Sequence, residues 1–516
     1  MLVATIIEEQ RRSRDFGRLQ AATFIVVAAC ILTLPLAIGP ARLNDSFWID
    51  QVWLEQFARE IGRGVAYPRW LPQSHGGLGS PVFYYYPPLA FYAGTPFLLL
   101  GLKVSDALAA TFFAGYLASG AAMYFWLRRD TENPFLGTLV FMVAPYHTFN
   151  CYNRGALAEF MATAIIPLLA AGVWRVNQTR SGSFILVALG YAALIATHLP
   201  LALLTSLFLV APMAAARIHR ERANALPIAL ALATGIGLAA VYWVPAFWLE
   251  PYRDSASLWS NPILKPSNWT FWNPEFRASR AYIGILVISA SLALPLSMLA
   301  CRNRSAWAVL GLLCLLLTIG TIPLVWELPM LRSVQFPFRL LPIAEFGLAT
   351  AIARLPWASE GLALRLLPLL TISAFTIAAK PVDQGVTAAD VRAHADVPDN
   401  LPPGHRPYSW PSTWARDVAR KHPAKTVTGD MTTEARFYFP AWQVSCGNRR
   451  TAGFPAPESK LLSYRGKDCV AELGSTPAEA AGKAVSLINL FLLVLIMLPA
   501  LRDRLASRPK WQFRWV

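Results

Sequence analysis

The sequence predicts an all-α polytopic membrane protein, with one soluble extracytoplasmic region of mixed or β-rich character before the last span. Three observations predict it. Of 516 residues, 55% are hydrophobic and only 15% charged, with a mean hydropathy of +0.41. Apolar runs of about 20 residues recur along most of the chain, the length needed to cross ~30 Å of hydrocarbon. Residues 380–483 break that rhythm: Pro, Asp, His, Trp and Lys occur throughout, and no apolar run is long enough to span.

The net charge is +16. On a soluble protein it would suggest nucleic acid. Here cytoplasmic loops collect Arg and Lys, and basic tails meet anionic lipid, so membrane lipids are expected as partners and nucleic acid is not. Six cysteines are scattered without a CxxC pair. Cys446 and Cys469 share the polar C-terminal region and could pair in an oxidising compartment.

Taken in order, Arg11, Arg12, Arg14 and Arg18 place the N-terminus in the cytoplasm, and the run from Ala21 to Gly39 reads as an uncleaved anchor. Residues 44–88 follow, dense in charge, Trp, Tyr, Gly and Pro. Within them Val52, Leu54, Phe57 and Ile61 have helical spacing, which predicts an amphipathic helix over Asp50–Ile61 lying on the membrane surface. Pro68, Pro72, Gly76, Gly77, Gly79 and Pro81 then break regular structure.

The apolar segment from Pro87 to Gly101 reads as interfacial or re-entrant, because only then do Arg128 and Arg129 fall inside. Further spans are expected near 105–127, 134–147, 156–174, 183–198, 199–216, 227–247, 281–300, 306–326, 340–353, 366–379 and 484–501. With the anchor this makes about 12 transmembrane helices. Inner segments then hold 20 of the 46 Lys and Arg in roughly 80 residues, and outer segments hold 26 in roughly 220. The organisation is therefore a transmembrane region 1–379, with an extracytoplasmic first loop 40–104 that includes an interfacial helix. A soluble extracytoplasmic region 380–483 follows, then a last span and basic cytoplasmic tail, 484–516. Both termini are then expected in the cytoplasm.

There is no P-loop, HExxH or G-x-S-x-G. Gly235-Ile-Gly237-Leu-Ala-Ala lies inside an apolar span, where small residues serve helix packing rather than nucleotide binding. What remains is a set of polar groups at the outer ends of spans: Asp45 and Asp50, His147, Arg154 and Glu159, His198, and Arg332 and Arg339. Ionisable groups near membrane depth are costly and face cavities. A carboxylate beside cations at one leaflet suits transfer from a lipid-linked phosphate: the carboxylate takes or aligns a proton, and Arg and His hold the leaving phosphate. Each group also has a structural use. Asp45 or Asp50 can cap the surface helix, Arg154 and Glu159 can be an ion pair, and Trp70, Tyr85 and Tyr86 can belong to an aromatic belt.

These residues resemble a family. Pro68-Arg69-Trp70-Leu71-Pro72, the turn Gly76-Gly77-Leu78-Gly79-Ser80-Pro81 and Tyr85-Tyr86-Pro87-Pro88-Leu89 are similar to the first loop of GT-C membrane glycosyltransferases. They resemble more closely the bacterial multipass "6-pyruvoyl-tetrahydropterin synthase-related" proteins. Arg154-Gly155-Ala156-Leu157-Ala158-Glu159-Phe160 and Thr197-His198-Leu199-Pro200 resemble two further blocks of that family. The resemblance implies an inverting, polyprenyl-phosphate-sugar-dependent glycosyltransferase acting on a glycan, lipid or protein acceptor of the envelope. It implies Asp45 as the base or metal-contacting carboxylate, with Asp50 the second catalytic candidate; from the polar groups at the span ends, Arg154, His198, Arg339 and His147 are the candidates for the donor phosphate. Glu159, Arg69, Trp70, Tyr85 and Tyr86 would serve the acceptor or the structure. The family often has His where Asp50 stands, so the cofactor is open, a divalent metal such as Mg or Mn being the candidate. No residues here supply a His-rich zinc site for pterin chemistry. A flippase or transporter of lipid-linked sugar, or a non-catalytic envelope scaffold, would use the same residues differently.

Overall fold

The computed structural model describes residues 2–38, 46–131, 134–177, 181–255, 261–273, 280–356, 388–403, 413–422 and 424–506. Asp45 and the expected span 366–379 lie outside them. The helices include α1 (Leu2–Ile38), α2 (Phe47–Gly62), α3 (Leu89–Leu99), α4 (Val104–Leu127), α5 (Pro134–Met142), α6 (Pro145–Phe149) and α7 (Leu157–Arg175). They continue with α8 (Ser181–Thr197), α9 (Leu199–Arg220), α10 (Ala225–Leu238), α11 (Ala240–Trp248), α12 (Arg280–Cys301), α13 (Ala306–Ile319), α14 (Leu341–Ile352), α15 (Thr413–Lys421) and α16 (Pro477–Ala506).

Among the described residues six helices are long and apolar enough to cross a membrane, or seven if the bent pair α10–α11 counts as one span. The expectation was about 12. The difference lies in breaks, short helices and the one expected span, 366–379, outside the described residues. The expected span 134–147 divides at Pro145 into α5 and α6, and α8, α13 and α14 are only 17, 14 and 12 residues long. The pair α10–α11 bends by 65°. Ser486 of α16 satisfies the backbone freed at this break: its Oγ accepts from Val241 N–H (2.8 Å) and donates to the Leu238 carbonyl (2.9 Å). The glycines of the Gly235-Ile-Gly237 run pack helices together. A β-carbon on Gly235 would come within 2.8 Å of the Ala188 carbonyl of α8.

Helix α2 departs from the expected surface helix. Phe47–Leu54 and Gln56–Ala58 are all buried, so protein covers both faces. The polar side is occupied by side-chain bonds: Trp53 Nε1 donates to Asp396 Oδ1 (2.9 Å), and Gln56 Nε2 to Ser74 Oγ (3.1 Å). Full burial of side chains such as Phe57 stabilises by about 1.5–3 kcal/mol each. Helix α3, with 11 residues, is too short to span.

Between α15 and α16 seven antiparallel strands form two small sheets, in the orders β1-β2-β6-β5 and β4-β3-β7. Their ranges are β1 Lys425–Thr428, β2 Met431–Phe437, β3 Trp442–Cys446, β4 Arg449–Thr451, β5 Phe454–Pro455, β6 Leu461–Arg465 and β7 Cys469–Leu473. Cys446 and Cys469 are register partners on β3 and β7 and are joined by a disulfide.

Candidate functional site

The site is built on the break between α5 and α7. Pro145 starts α6, which runs into a π-helical turn over Asn150–Arg154, a form often found at functional sites. Gly155 ends it in the left-handed conformation (φ 61°), where a β-carbon would come within 2.5 Å of Phe47 Cβ. The glycine therefore lets the start of α2 lie against this turn. Ser46 N–H donates to the Arg154 carbonyl (2.8 Å), and Asp50 Oδ2 accepts from Leu157 N–H (3.1 Å) at the first turn of α7.

Glu159, in the first turn of α7, is 1% exposed. Its Oε2 meets Arg154 Nη1 at 2.8 Å, Arg339 Nε at 3.2 Å and His198 Nε2 at 3.8 Å. Its Oε1 accepts from the Tyr146 hydroxyl (2.5 Å). Arg154 Nη1 also donates to Tyr146 Oη and Asn150 Oδ1, both at 3.0 Å. Tyr146, Asn150 and Arg154 are four residues apart, so one face of the α6–π segment presents all three. Arg339 Nη1 donates to the Val334 carbonyl and Gln335 Oε1. The stacked rings of Phe336 and Phe338 floor the site, with Arg339 4.9 Å from the Phe336 centroid and Arg154 5.2 Å from that of Phe338.

His198 caps α9. Its Nδ1 accepts from Leu201 N–H (3.1 Å), so the hydrogen-bond pattern assigns a neutral ring with its proton on Nε2, towards Glu159. Among the described residues Arg339 Nη2 and His198 Nε2 make no hydrogen bond, so both keep donor capacity beside the carboxylate. Tyr86 lies within electrostatic reach of Asp50, Arg339, Glu159 and Arg154, and burial raises its phenol well above the ordinary range.

The other expected residues go elsewhere. His147 follows Tyr146 but turns away, its ring 4.6 Å from Phe160 and 5.1 Å from Tyr116. Neither of its nitrogens has a hydrogen-bond partner among the described residues. Arg69, Trp70 and Tyr85 hold the first loop to the α11 segment and to the C-terminal part of the chain. Arg69 Nε meets Glu479 Oε1 at 3.0 Å, and its Nη2 donates to the Val241 carbonyl (2.7 Å). Trp70 packs on Trp442 (5.2 Å) and Phe439 (6.2 Å), and Tyr85 donates to the Leu249 carbonyl (2.7 Å). Gly79 (φ 79°) is required there, because a β-carbon would sit 2.4 Å from the Trp70 ring. Arg332 is exposed and lines a half-open cleft of about 520 Å³ with Lys265, Asn268 and Glu327.

Sequence reasoning missed Tyr146, Asn150 and Glu345. Glu345, on α14, is fully buried, and its Oε1 accepts from Tyr146 N–H (2.5 Å). An intramembrane acid was the available signal. Among the described residues no group of three or more His, Cys, Asp and Glu side chains could hold a metal. The partners of Glu159 are cations and a phenol, a setting for anions rather than for a metal ion.

A family model described as "6-pyruvoyl-tetrahydropterin synthase related domain; membrane protein" matches residues 83–382, more than half of the chain. The chain belongs to this family of membrane proteins. The match to the 6-pyruvoyl-tetrahydropterin synthase related family takes in Tyr146, Arg154, Glu159, His198, Arg339 and Glu345, but not Asp45 or the strands. No protein of curated function matches the chain. Among solved structures, it is similar to the arabinofuranosyltransferase AftD from Mycobacteria at 16% identity and a TM-score of 0.43, covering 69% of this chain. The chain spans about a quarter (26%) of AftD's length. It is also similar to ArnT from Cupriavidus metallidurans, in a crystal structure bound to undecaprenyl phosphate, at 13% identity and a TM-score of 0.40, covering 77% of this chain and 69% of ArnT.

Proposed function

We propose that this protein is a membrane glycosyltransferase that moves a sugar from a polyprenyl-phosphate donor to an envelope glycan, lipid or protein at the outer face of the inner membrane. One observation carries the reading: two guanidinium groups and an imidazole N–H converge on Glu159, and Arg339 Nη2 and His198 Nε2 keep donor capacity there. Planar guanidinium donors suit phosphate oxygens, and a partly desolvated site strengthens them.

In the proposed reaction an acceptor hydroxyl attacks the anomeric carbon. The bond from that carbon to the phosphate oxygen breaks, and polyprenyl phosphate leaves with the electron pair. Arg339, Arg154 and His198 hold its charge, and Glu159 orients the three. Asp45, next in the chain before Ser46, takes the hydroxyl proton. Asp50 is a positioning residue, because its Oδ2 ties α2 to the start of α7. His147 has no part in phosphate binding.

Charge buried at mid-span would favour a transporter instead. Glu345 is fully buried, but it lies only about 6 Å along α14 from its first residue, at the rise of 1.5 Å per residue, on the side that meets Tyr146. That position belongs to the site end of the helix.

The test uses purified protein in nanodiscs with a panel of polyprenyl-phosphate sugars and acceptors, with and without Mg or Mn. Release of polyprenyl phosphate is expected from wild type, with losses of about 10²-fold or more in Asp45→Asn and Arg339→Gln. Binding without release across the panel would favour the transporter or scaffold. Turnover unchanged in Asp45→Asn would remove Asp45 as base.

A further inference from the structure

We infer that Glu345 is a positioning residue for the phosphate site, acting through Tyr146. The inference rests on the phosphate reading above. Glu345 sits one turn into α14 with no exposed surface. Its Oε1 accepts from the backbone N–H of Tyr146, 199 residues away in sequence. Its Oε2 is buried and has no hydrogen-bond partner among the described residues.

A buried carboxyl with one unsatisfied oxygen is costly, and its return has to be sought in what it holds. What it holds is the start of the α6–π segment. Ala144 precedes this segment without a side-chain cap of its own, so the free N–H of Tyr146 is satisfied from another helix. Tyr146 is fully buried, and its hydroxyl donates to Glu159 Oε1 (2.5 Å) and accepts from Arg154 Nη1 (3.0 Å).

Glu345 therefore fixes one end of Tyr146, and the phenol at the other end fixes Glu159 and Arg154. The same α6–π segment carries Asn150, which accepts from Arg154 at 3.0 Å. The register of the segment thus sets where the Arg154 guanidinium stands. The break at Pro145 gives this short segment freedom to slide or rotate, and the contact with α14 removes it. In a site where a displacement of about 1 Å can cost about 10²-fold in rate, such a tether acts on chemistry without touching substrate. The His147 ring packs against Tyr116 and Phe160, so this next residue adds only its backbone N–H, which also faces the Glu345 carboxyl.

The experiment is a double-mutant cycle on the full-length protein in nanodiscs. Glu345→Leu, Tyr146→Phe and the double variant are compared for kcat and KM in polyprenyl phosphate release, for binding of farnesyl phosphate, and for Tm. Glu345→Gln keeps an acceptor oxygen. It is expected to stay within about threefold of wild type, whereas Glu345→Leu loses about tenfold or more, chiefly in kcat. The double variant should be no worse than the poorer single variant, since both cut the same chain of contacts. Glu345→Asp, which draws the carboxyl back by one methylene, serves if Glu345→Leu does not fold, and should fall with it. Additive losses, or a Tm change with unchanged kinetics per folded molecule, overturn the inference while leaving the phosphate reading intact. A wild type that neither binds farnesyl phosphate nor releases polyprenyl phosphate overturns both.

Discussion

Arg69 meets Glu479, and Arg154 meets Glu159; in each case a carboxylate 8% exposed or less holds a guanidinium within 3.0 Å. The two contacts differ in what the carboxylate does besides. Glu479 Oε2 accepts from the backbone N–H and hydroxyl of Thr476 (2.8 and 2.9 Å), while Thr476 Oγ1 accepts from Glu479 N–H (3.2 Å). This is a capping box at the start of α16, and Arg69 is tied into it. The Arg69 guanidinium also lies 3.8 Å from the Tyr67 ring centroid, and its remaining nitrogen, Nη1, is fully buried. A ligand has no route to such a group. Glu159 caps nothing; it gathers Arg154, Arg339 and His198 from three separate chain segments. Burial and pairing alone therefore do not mark a site. Unpaired donors mark one only outside such full burial: among the described residues Arg69 Nη1 is also unpaired but fully buried, whereas Arg339 Nη2 and His198 Nε2 are not among the fully buried atoms.

The comparison can be broken at several points. The largest effects should come from deleting either carboxylate. Glu159→Leu and Glu479→Leu each strand a buried guanidinium and should each cost about 3–5 kcal/mol. In nanodiscs both should lower Tm, but only Glu159→Leu should abolish polyprenyl phosphate release per folded molecule. Next is the disulfide, which closes a sequence separation of 23 residues. Replacing both cysteines by Ser should destabilise the strand region by about 3 kcal/mol on loop-entropy grounds, seen by hydrogen exchange, with phosphate binding unchanged. Arg339→Lys keeps charge but loses the planar fork. It should cut turnover by about 10²-fold at nearly constant Tm, whereas Arg69→Lys should change Tm and not turnover. His198→Asn is milder: the amide oxygen can still cap α9, so stability holds within a few tenths of a kcal/mol, while loss of the Nε2 donor costs about tenfold in kcat.

The smallest effect concerns pH. His394, 3.6 Å away, holds the Glu55 carboxyl below its ordinary range, with burial opposing and Arg59 assisting. A depressed folded value means a contribution present above the ordinary carboxylate pKa and lost as pH falls through the folded one. Docking of residues 388–397 on α2 should therefore loosen as pH falls below about 4, visible as local hydrogen exchange.

Much of this was legible in the sequence where the information is local. Arg154 and Glu159 sit in one short block, and the ends of successive expected spans brought His198 and Arg339 to the same side as that block. Membrane topology does that work, because ends of alternate helices must share a face. The same argument also enlisted His147, which belongs to the right turn but faces an aromatic pocket; rotation about a helix broken at Pro145 is not encoded in span counting. Arg69, Trp70 and Tyr85 stand in a dense motif, yet their partners Glu479, Trp442 and Leu249 lie in distant segments that the motif does not announce. The contact between Tyr146 and Glu345 was missed for the same reason. Glu345 was legible as an acid inside an apolar span, but its partner was not: the bond spans 199 residues and uses a backbone N–H, which leaves no signature at Tyr146. Helix α2 was read as a surface helix because its spacing is amphipathic; its polar positions instead bond to Asp396 and Ser74.

The central claim is that the cations around Glu159 receive a lipid-linked phosphate and the cation at Glu479 does not. Its most direct test is equilibrium binding of farnesyl phosphate to wild type, Arg339→Gln and Arg69→Gln in the same nanodiscs, each corrected for folded fraction. The account predicts saturable binding that weakens about tenfold or more in Arg339→Gln and is unchanged in Arg69→Gln. Equal affinity in all three proteins, or equal loss in both variants, would contradict it.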